Sequence, residues 1–308
     1  MTNIKIFCPA TIANLNCGFD VMGLCLEGIG DEMIIRKVAE KGIRITKIIG
    51  ANLPLETEKN VAGVAALALL NAVETEFGFE IEIHKKIKAG SGIGSSSASA
   101  AGAVFGINQL LGNPFTRNQL VDFAMKGEVV ASGSEHADNV APCLLGGFTL
   151  VCGYNPLNVI KIESPNELYA VVLHPHIEVK TADARAVLQP MISLKSAITQ
   201  WGNVGGLIAG LYTSNYELIG RSLEDVIVEP LRKHLIPNFD QVKNVALQNG
   251  ALGSGISGAG PSIFALCKGQ NIAEKVAFAM SKNYQSTGIQ FDIYISKINP
   301  KGCEIITN

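Results

Sequence analysis

Excess charge of either sign is almost absent from this sequence of 308 residues, in which 25 lysines and arginines stand against 27 aspartates and glutamates. The net charge of −2 disfavours a nucleic-acid-binding surface, which needs a marked basic excess. No window approaches the roughly eighteen continuous apolar residues of a membrane span, and the opening residues, MTNIKIFCPA, lack a signal-peptide pattern. We therefore expect a soluble, cytoplasmic protein with no nucleic-acid partner and no membrane partner.

Metal-ligand spacing is also lacking. The seven cysteines, at 8, 17, 25, 143, 152, 267 and 303, form no C-x-x-C pair, and the five histidines form no ligand pattern. Most of the cysteines lie inside apolar runs, which predicts buried free thiols and disfavours a zinc site or a catalytic thiol.

What the sequence does contain is apolar material, since 47% of its residues are hydrophobic and 17% are charged. This composition suits a globular chain and excludes disorder, and the length allows one large domain or two of medium size. Residues 154–166 are rich in Asn and Pro, and the pattern of strands and helices starts afresh after them. We therefore place two domains, at residues 1–160 and 161–308.

Apolar periodicity and capping residues predict the local structure. In the first half they predict strands at 4–8, 32–37, 42–49, 80–87 and 143–153, a polar insertion at 10–23, and helices at 60–77, 98–111 and 116–132. In the second half they predict strands at 167–173, 262–267 and 288–298, a loop at 181–190, a glycine-rich turn at 253–262, and helices at 192–213, 215–224, 229–251 and 271–284. This order suggests a small antiparallel sheet covered on one face, an α+β arrangement.

The stretch AGSGIGSSSASAAG, residues 89–102, has the composition of an anion-binding loop. Its glycines permit positive φ, and a helix that starts at the serines would aim free N–H groups at the same point. It does not match the P-loop, because no lysine occurs between Ala89 and Lys126, and it matches the dinucleotide pattern G-x-G-x-x-G only loosely. From these residues alone, a flexible linker or a tightly packed helix of small residues remains an alternative.

Three segments resemble, in the family's order, the signature motifs of the GHMP small-molecule kinases: PATIANLNCGFDVMG (9–23), AGSGIGSSSASA (89–100) and GSGISGAGPSIFAL (253–266). The block GEVVASGSEHADNVAPCLLGG (127–147) is similar to the homoserine kinase branch of that family. The resemblance implies an ATP- and Mg²⁺-dependent kinase that transfers a phosphoryl group directly to the side-chain oxygen of L-homoserine, in threonine biosynthesis. It also suggests a homodimer.

The fold implied by the resemblance is the α+β, two-domain GHMP kinase fold. It has an N-terminal mixed α/β domain with a left-handed βαβ-type phosphate loop, and a ferredoxin-like α+β C-terminal domain. ATP and the acceptor would bind between the two domains, and the third motif, Gly255 to Ser262, would close over the phosphates or the acceptor.

The phosphate side of the implied site is the glycine-rich loop. The resemblance assigns ATP binding to Lys88, Ala89, Gly90, Ser91, Gly92, Ile93, Gly94, Ser95, Ser96 and Ser97. It further implies that the Ser96 hydroxyl and the Glu128 carboxylate are catalytic and hold Mg²⁺, a cation that prefers oxygen ligands. Taken without the family, Ser96 could be a simple helix N-cap, and Glu128 could lie on a solvated helix face.

The acceptor side needs groups for a zwitterion with a free hydroxyl. Arginine forks suit its carboxylate, and Arg185 and Arg232 match substrate-binding positions of the homoserine kinases. Asn14 and Asp20 could meet the ammonium and hydroxyl groups, and His136 and Gly258 complete the set implied by the resemblance. Without the family, Asn14 and Asp20 read as a turn-stabilising pair and His136 as a packed side chain.

A general base is not assigned. Where mevalonate and galactose kinases carry an aspartate, this chain has Asn139, whose amide cannot accept a proton at neutral pH, although Asp138 lies beside it. A loose transition state needs little activation of the nucleophile, so we expect the proton to pass late to phosphate or solvent, with Asp20 kept as a catalytic candidate. The alternatives are another GHMP small-molecule kinase and a non-catalytic GHMP-fold binding protein.

Overall fold

Two β-sheets organise residues 2–306, the part of the chain that the computed structural model describes. The larger sheet has the order β11-β1-β2-β4-β3, and β5 pairs with β2 while β6 pairs with β5. Its strands are β1 (Asn3–Ala13), β2 (Met22–Val38), β3 (Ile43–Ile49), β4 (Gly78–His84), β5 (Phe148–Tyr154), β6 (Leu157–Ile162) and β11 (Glu304–Ile305). β3 and β4 are parallel, and the other pairs are antiparallel.

The first two strands are longer than the sequence pattern predicts. β1 continues past Pro9 to Ala13, and β2 starts at Met22, so the predicted polar insertion at 10–23 is wrong at both ends. The register shifts between Pro9 and Thr11, and this irregularity lets the strand continue past a residue that has no N–H. Residues 14–21 alone connect the strands.

Four helices lie on one side of the larger sheet: α1 (Val61–Leu70), α2 (Ser95–Leu110), α3 (Arg117–Ser132) and α4 (Val140–Leu145). α1, α2 and α4 contact its strands, and α3 packs against these three helices. α2 lies closest because its glycines remove side-chain volume. A Cβ added at Gly102 would lie 2.3 Å from Cys8 Sγ, and one at Gly106 would lie 2.5 Å from Ile35 Cδ1. The predicted helix at 60–77 ends at Leu70, since the residues that follow are mostly exposed and bury too little apolar area to extend it.

The smaller sheet is antiparallel, with the order β10-β7-β9-β8. Its strands are β7 (Leu168–Pro175), β8 (Gly253–Ile256), β9 (Ile263–Lys268) and β10 (Phe291–Lys297), and its helices include α9 (Phe239–Gln248) and α10 (Gln270–Tyr284). Val171 and Leu173 pack with these helices, whereas Ala170 and Val172 join the larger core. The sheet is therefore covered on both faces and not on one, because β7 is apolar at successive positions.

The remaining helices are α5 (Thr181–Ala186), α6 (Leu194–Thr213), α7 (Tyr216–Ser222) and α8 (Glu229–Arg232). α5 replaces part of the loop predicted at 181–190. The helix predicted at 229–251 is broken, because Pro237 cannot donate a backbone hydrogen bond. The strand predicted at 143–153 begins as α4, and the turn predicted at 253–262 begins as β8.

Two strands join the two halves of the chain. β6 crosses the proposed domain boundary at residue 160 and belongs to the larger sheet, and β11, from the second half of the chain, pairs with β1. All seven cysteines are free, and Cys152 alone among them is exposed. Within residues 2–306, no helix has the length and apolarity needed to cross a membrane.

Candidate active site

A cleft of about 550 Å³ brings the three sequence motifs together. Asn14 and Asp20 come from the first motif, and Gly258 from the third. The glycine-rich loop, α3 and α5 supply the other walls. The predicted site residues that line the cleft are Asn14, Asp20, Ala89, Gly90, Ser91, Gly92, Gly94, Ser95, Ser96, Glu128, His136, Arg185, Arg232 and Gly258.

The glycine-rich loop uses its glycines for backbone conformation. Gly90, Gly92 and Gly94 have φ of 71°, 79° and 73°, in the left-handed region that L side chains rarely adopt. α2 then begins at Ser95, with Gly94 as an N-cap that offers no side chain. The first N–H groups of the helix have no acceptor one turn earlier, so this end of the cleft presents backbone donors and the positive end of a helix dipole.

The third motif holds this loop in place. Ser257 Oγ donates to the Gly92 carbonyl at 2.7 Å, and Ser262 Oγ donates to the Ser91 carbonyl at 2.6 Å. A Cβ added at Gly92 would lie 2.5 Å from the Gly260 carbonyl oxygen. The backbones of the second and third motifs are therefore in direct contact, and the position of the loop depends on both halves of the chain.

His174 completes this contact from β7. Ser262 Oγ has one proton, which it donates to Ser91, so it must accept from His174 Nδ1, 3.2 Å away. The imidazole is therefore the tautomer with its proton on Nδ1. Burial lowers the pKa of His174 to about 4, and the ring is neutral at physiological pH.

Ser96 and Glu128 meet beside the loop. Ser96 Oγ donates to Glu128 Oε2 at 3.1 Å, although the two residues come from different helices. Glu128 is 7% exposed, which excludes a solvated helix face, and its Oε1 is buried without a hydrogen-bond partner among residues 2–306. Burial raises the pKa of this carboxyl to about 7, against the opposing effect of the Ser96 hydrogen bond.

A buried ion pair lies under the start of α2. Lys85 Nζ pairs with Asp31 Oδ2, and it also donates to the Ser95 carbonyl at 2.7 Å and to Ser99 Oγ at 3.1 Å. The other Asp31 oxygen accepts the N–H groups of residues 86 and 87, at 2.7 and 2.9 Å. The pair therefore fixes both the chain that enters the loop and the helix turn that leaves it.

The opposite end of the cleft carries a cluster of charged groups. Arg185 Nη2 donates to both carboxylate oxygens of Asp20, at 2.9 and 3.0 Å. His136 Nε2 lies 3.3 Å from Arg185 Nη2 and 2.6 Å from Ser134 Oγ. Burial lowers the pKa of His136, and the Arg185 charge adds to this effect, while Asp20 opposes it. His136 is therefore a neutral hydrogen-bonding group at physiological pH.

Arg232 lies deeper in the cleft. Its Nε donates to the Ala184 carbonyl at 2.7 Å, and its guanidinium carbon lies 5.0 Å from the centre of the Phe19 ring. Arg185 packs against the same ring at 5.4 Å. Burial lowers the pKa of Arg232 to about 10, and the charge of Arg185 contributes. Two cations held this close favour an anion between them.

Asn14 supports the turn of the first motif. Its φ is 71°, its Oδ1 accepts the Asp20 N–H at 3.1 Å, and its Nδ2 donates to the Gly258 carbonyl at 2.9 Å. The turn-stabilising interpretation of Asn14 therefore fits its contacts, and the same side chain ties the first motif to the third.

Asn139 lines the cleft close to Gly94. Its Oδ1 accepts a 2.7 Å hydrogen bond from Thr11 Oγ1. A Cβ added at Gly94 would lie 2.1 Å from the same Thr11 hydroxyl oxygen, so a side chain at position 94 would clash with it. Asp138, beside Asn139, lines the cleft and is buried, and burial raises the pKa of its carboxyl to about 7.

Two family models match the chain: the GHMP kinases N terminal domain over residues 60–147, and the GHMP kinases C terminal over residues 207–286. A curated homoserine kinase from Chlorobium phaeobacteroides (strain BS1) is 47% identical over 99% of this chain and 100% of its own. The crystal structure of homoserine kinase from Cytophaga hutchinsonii ATCC 33406 has 51% identity and a TM-score of 0.96, covering 99% of this chain and 98% of that one. The chain belongs to the homoserine kinase family.

Membership of the homoserine kinase family confirms the predicted two-domain GHMP kinase fold and makes this chain a phosphotransferase. A second relative, from Chlorobaculum tepidum, is 43% identical over 100% of this chain and 99% of its own. L. major mevalonate kinase, solved in complex with R-mevalonate, has a TM-score of 0.70 at 15% identity and covers 96% of each chain, so it shares the fold alone.

Three residues predicted to bind ATP do not line the cleft. Lys88 Nζ lies 2.8 Å from His176 Nε2, on an exposed surface. Ile93 is 2% exposed, and its carbonyl accepts the N–H of Thr11 at 3.1 Å. The Ser97 side chain is buried in α2 and is absent from the cleft lining.

Lys85 is the most informative residue that sequence reasoning missed. It lies in EIEIHKKI, where the inward positions of the alternating pattern are Ile81, Ile83, Lys85 and Ile87, and all four are buried. A lysine on the apolar face of a strand signals a buried ion pair, since burying an unpaired ammonium group is costly. Its partner, Asp31, lies in β2 and gave no such signal.

Proposed function

We propose that this chain is an ATP:L-homoserine O-phosphotransferase, which makes O-phospho-L-homoserine in threonine biosynthesis. The observation that carries the proposal is that one cleft contains both halves of a kinase site. One end has the loop rich in backbone donors and the buried Ser96–Glu128 pair, and the other end has Arg185 and Arg232 beside the same phenyl ring. A homodimer, expected from the family resemblance, is part of the same proposal.

ATP would place its phosphates against the start of α2. Backbone N–H groups of the loop and the helix dipole favour negative charge there. The cleft lining also includes Leu53, Pro54, Asn60 and Val61, which offer the apolar and polar contacts that could bind the adenosine. Positioning and charge stabilisation account for most of the catalysis expected in phosphoryl transfer.

The residues beside the loop fit Mg²⁺. Glu128 Oε1 is a buried carboxylate oxygen that lacks a partner in the described chain, and Ser96 Oγ is 3.1 Å from Oε2 of the same group. One hydroxyl and one carboxylate suffice, because Mg²⁺ usually keeps several waters and takes its other ligands from the phosphates. The bound ion would neutralise the phosphate charge that develops during transfer.

The acceptor end fits a zwitterion. Arg232 and Arg185 offer guanidinium donors for a carboxylate, and the Asp20 carboxylate offers acceptors for an ammonium group. An acceptor held there would direct its side-chain hydroxyl towards the loop. Asn139 cannot take the proton, and Asp20 is a poor base while both of its oxygens accept from Arg185. We therefore propose transfer without a strong base.

An ADP-release assay with L-homoserine, mevalonate, galactose and shikimate tests the substrate, and turnover should be highest with L-homoserine. Glu128→Gln should lose at least a hundredfold in kcat while keeping the wild-type circular dichroism. Asp122→Asn, an exposed change on the same helix, is the matched control and should leave kcat unchanged. Preference for another alcohol, or near-normal activity of Glu128→Gln, would contradict the proposal.

A further inference from the structure

Asp20 holds its carboxylate on an unusual backbone. Its φ is 59°, in the left-handed region that L residues other than Asn and Asp rarely visit. Such a conformation persists only where surrounding contacts hold it, and here it lies just before β2, which begins at Met22. The contacts made by the Asp20 backbone therefore decide where its carboxylate points.

Each polar group of Asp20 has a partner. Its N–H donates to Asn14 Oδ1 at 3.1 Å, and both of its carboxylate oxygens accept from Arg185 Nη2. Its carbonyl accepts a 2.9 Å hydrogen bond from the hydroxyl of Tyr154. Asn14 and Arg185 belong to the lining of the cleft, whereas Tyr154 does not. The contact with Tyr154 therefore needs an explanation of its own.

β5 brings Tyr154 to this place. Tyr154 is the last residue of β5, and the earlier part of this strand pairs with β2. Between the two, the N–H of Val151 donates to the Val21 carbonyl at 2.8 Å. β5 therefore runs beside the chain that leaves the first motif, and its end places a phenol next to a residue 134 positions earlier in the sequence.

The same hydroxyl faces a second segment of the cleft, the one that precedes α4. Burial raises the pKa of Tyr154 to about 12, the charge of Asp138 adds to this effect, and the N–H of Ala137 opposes it. A backbone N–H has this effect when it points at the phenol oxygen. Ala137 lies between His136 and Asp138, which both line the cleft. One hydroxyl therefore connects the Asp20 turn with the segment that carries His136.

The β2–β5 pair supports these two segments together. A Cβ added at Gly23 would lie 1.8 Å from the Asp138 carbonyl oxygen, so the backbone before α4 lies directly against β2. Gly23 is itself opposite Thr149 of β5. Asp20 and Asp138 therefore rest on the same pair of strands, and the Tyr154 hydroxyl fixes one segment relative to the other.

We propose that Tyr154 is a positioning residue for the phosphoryl acceptor: the Tyr154 hydroxyl fixes the backbones of Asp20 and Ala137 in the arrangement that the acceptor binds. This inference rests on the proposed function and deepens it. A zwitterionic acceptor competes for both members of the Arg185–Asp20 pair, because its carboxylate attracts the arginine and its ammonium group attracts the aspartate. The hydrogen bonds to the Asp20 backbone are not part of that exchange. They keep the carboxylate in place while its partner changes.

Steady-state kinetics of Tyr154→Phe test this role, since the change removes the hydroxyl and keeps the ring. The loss of one hydrogen bond between neutral groups should raise KM for L-homoserine about two- to tenfold, with KM for ATP unchanged. Tyr212→Phe is the matched control, because Tyr212 is 60% exposed on α6 and outside the cleft lining, and it should keep both KM values. An unchanged KM for L-homoserine, or an equal rise in both KM values, would overturn the proposal.

Hydrogen exchange of the protein without substrates tests the same contact independently of turnover. The backbone amides of residues 18–21 and 136–138 should exchange faster in Tyr154→Phe than in the wild type or in Tyr212→Phe, because both segments lose their common partner. Wild-type exchange rates in both segments would show that the hydroxyl does not hold them, and the proposal would be wrong.

The two measurements separate this inference from the proposed function. If the wild type phosphorylates another alcohol in preference to L-homoserine, the proposed function fails, and the change in KM is then measured with that alcohol. If the wild type phosphorylates none of the alcohols tested, the exchange experiment still decides: faster exchange confined to these two segments supports the positioning role, and wild-type rates overturn it.

Discussion

Replacing Lys85 by methionine should destabilise the protein far more than replacing Asp31 and Lys85 together. In the single variant the Asp31 carboxylate, whose side chain is 2% exposed, keeps its two backbone N–H bonds but loses its cation. Removing one partner of a buried pair costs about 3–5 kcal/mol, whereas replacing both with neutral groups costs much less. In Asp31→Asn/Lys85→Met the asparagine can still accept the same N–H bonds, so we expect about 2 kcal/mol to be regained.

Urea unfolding of the wild type, both single variants and the double variant measures this coupling directly. Lys86→Met is the matched control, because the neighbouring side chain is 59% exposed and pairs with Glu32 at the surface. An exposed pair is worth ~0–1 kcal/mol, so this variant should unfold close to the wild-type midpoint.

The folded double variant then reports on function. The Ser95 carbonyl and the Ser99 hydroxyl lose a charged donor worth about 1.5–3 kcal/mol, so the start of α2 should shift. If the same free energy is lost from nucleotide binding, KM for ATP should increase by a factor of about ten to a hundred, while KM for homoserine should change little. Equal stability of the single and double variants, or an unchanged KM for ATP, would refute the role assigned to the pair.

Two further predictions concern the contact between the loop and the third motif. Gly92→Ala should lower the free energy of unfolding by roughly 1–3 kcal/mol and raise KM for ATP. The reason is that Gly92 has a φ of 79° and that the new Cβ would lie 2.5 Å from the Gly260 carbonyl oxygen. A variant with the wild-type urea midpoint would contradict this prediction. Burial holds the pKa of His174 at about 4, below its unfolded value of about 6.5, so its contribution to stability should be lost as pH falls between those values. Urea unfolding measured across this pH range should show that the free energy of unfolding falls less steeply in His174→Asn than in the wild type. If the two proteins lose stability in parallel as pH falls, His174 is not the cause of the loss.

Sequence patterns predicted the parts of this fold that depend on local chemistry. Thr116 caps α3 through a capping box with Gln119, and Asn60 caps α1, so both helix starts could be read directly. The family motifs led to the Ser96–Glu128 contact, which joins two helices. These signals are short-range or are carried by unusual residue combinations.

The parts that were missed depend on tertiary contacts. β1 continues past Pro9 because β2 pairs with it on the far side of an irregularity, and α5 forms where the pattern predicts a loop. The Lys85–Asp31 pair joins residues 54 positions apart. The periodicity of a segment shows which face of its helix or strand is apolar. It does not show which residue from a distant segment, such as Asp31 for Lys85, will contact that face.

The return of β11 to the edge of β1 has a consequence for aggregation. Glu304 and Ile305 complete the larger sheet, and the Arg117 side chain donates to the Cys303 carbonyl at 3.0 Å just before them. Whenever this two-residue strand is detached, the outer edge of β1 has exposed hydrogen-bonding groups to which strands of other chains could add. The Arg117 hydrogen bond therefore helps to protect the sheet against edge-to-edge association.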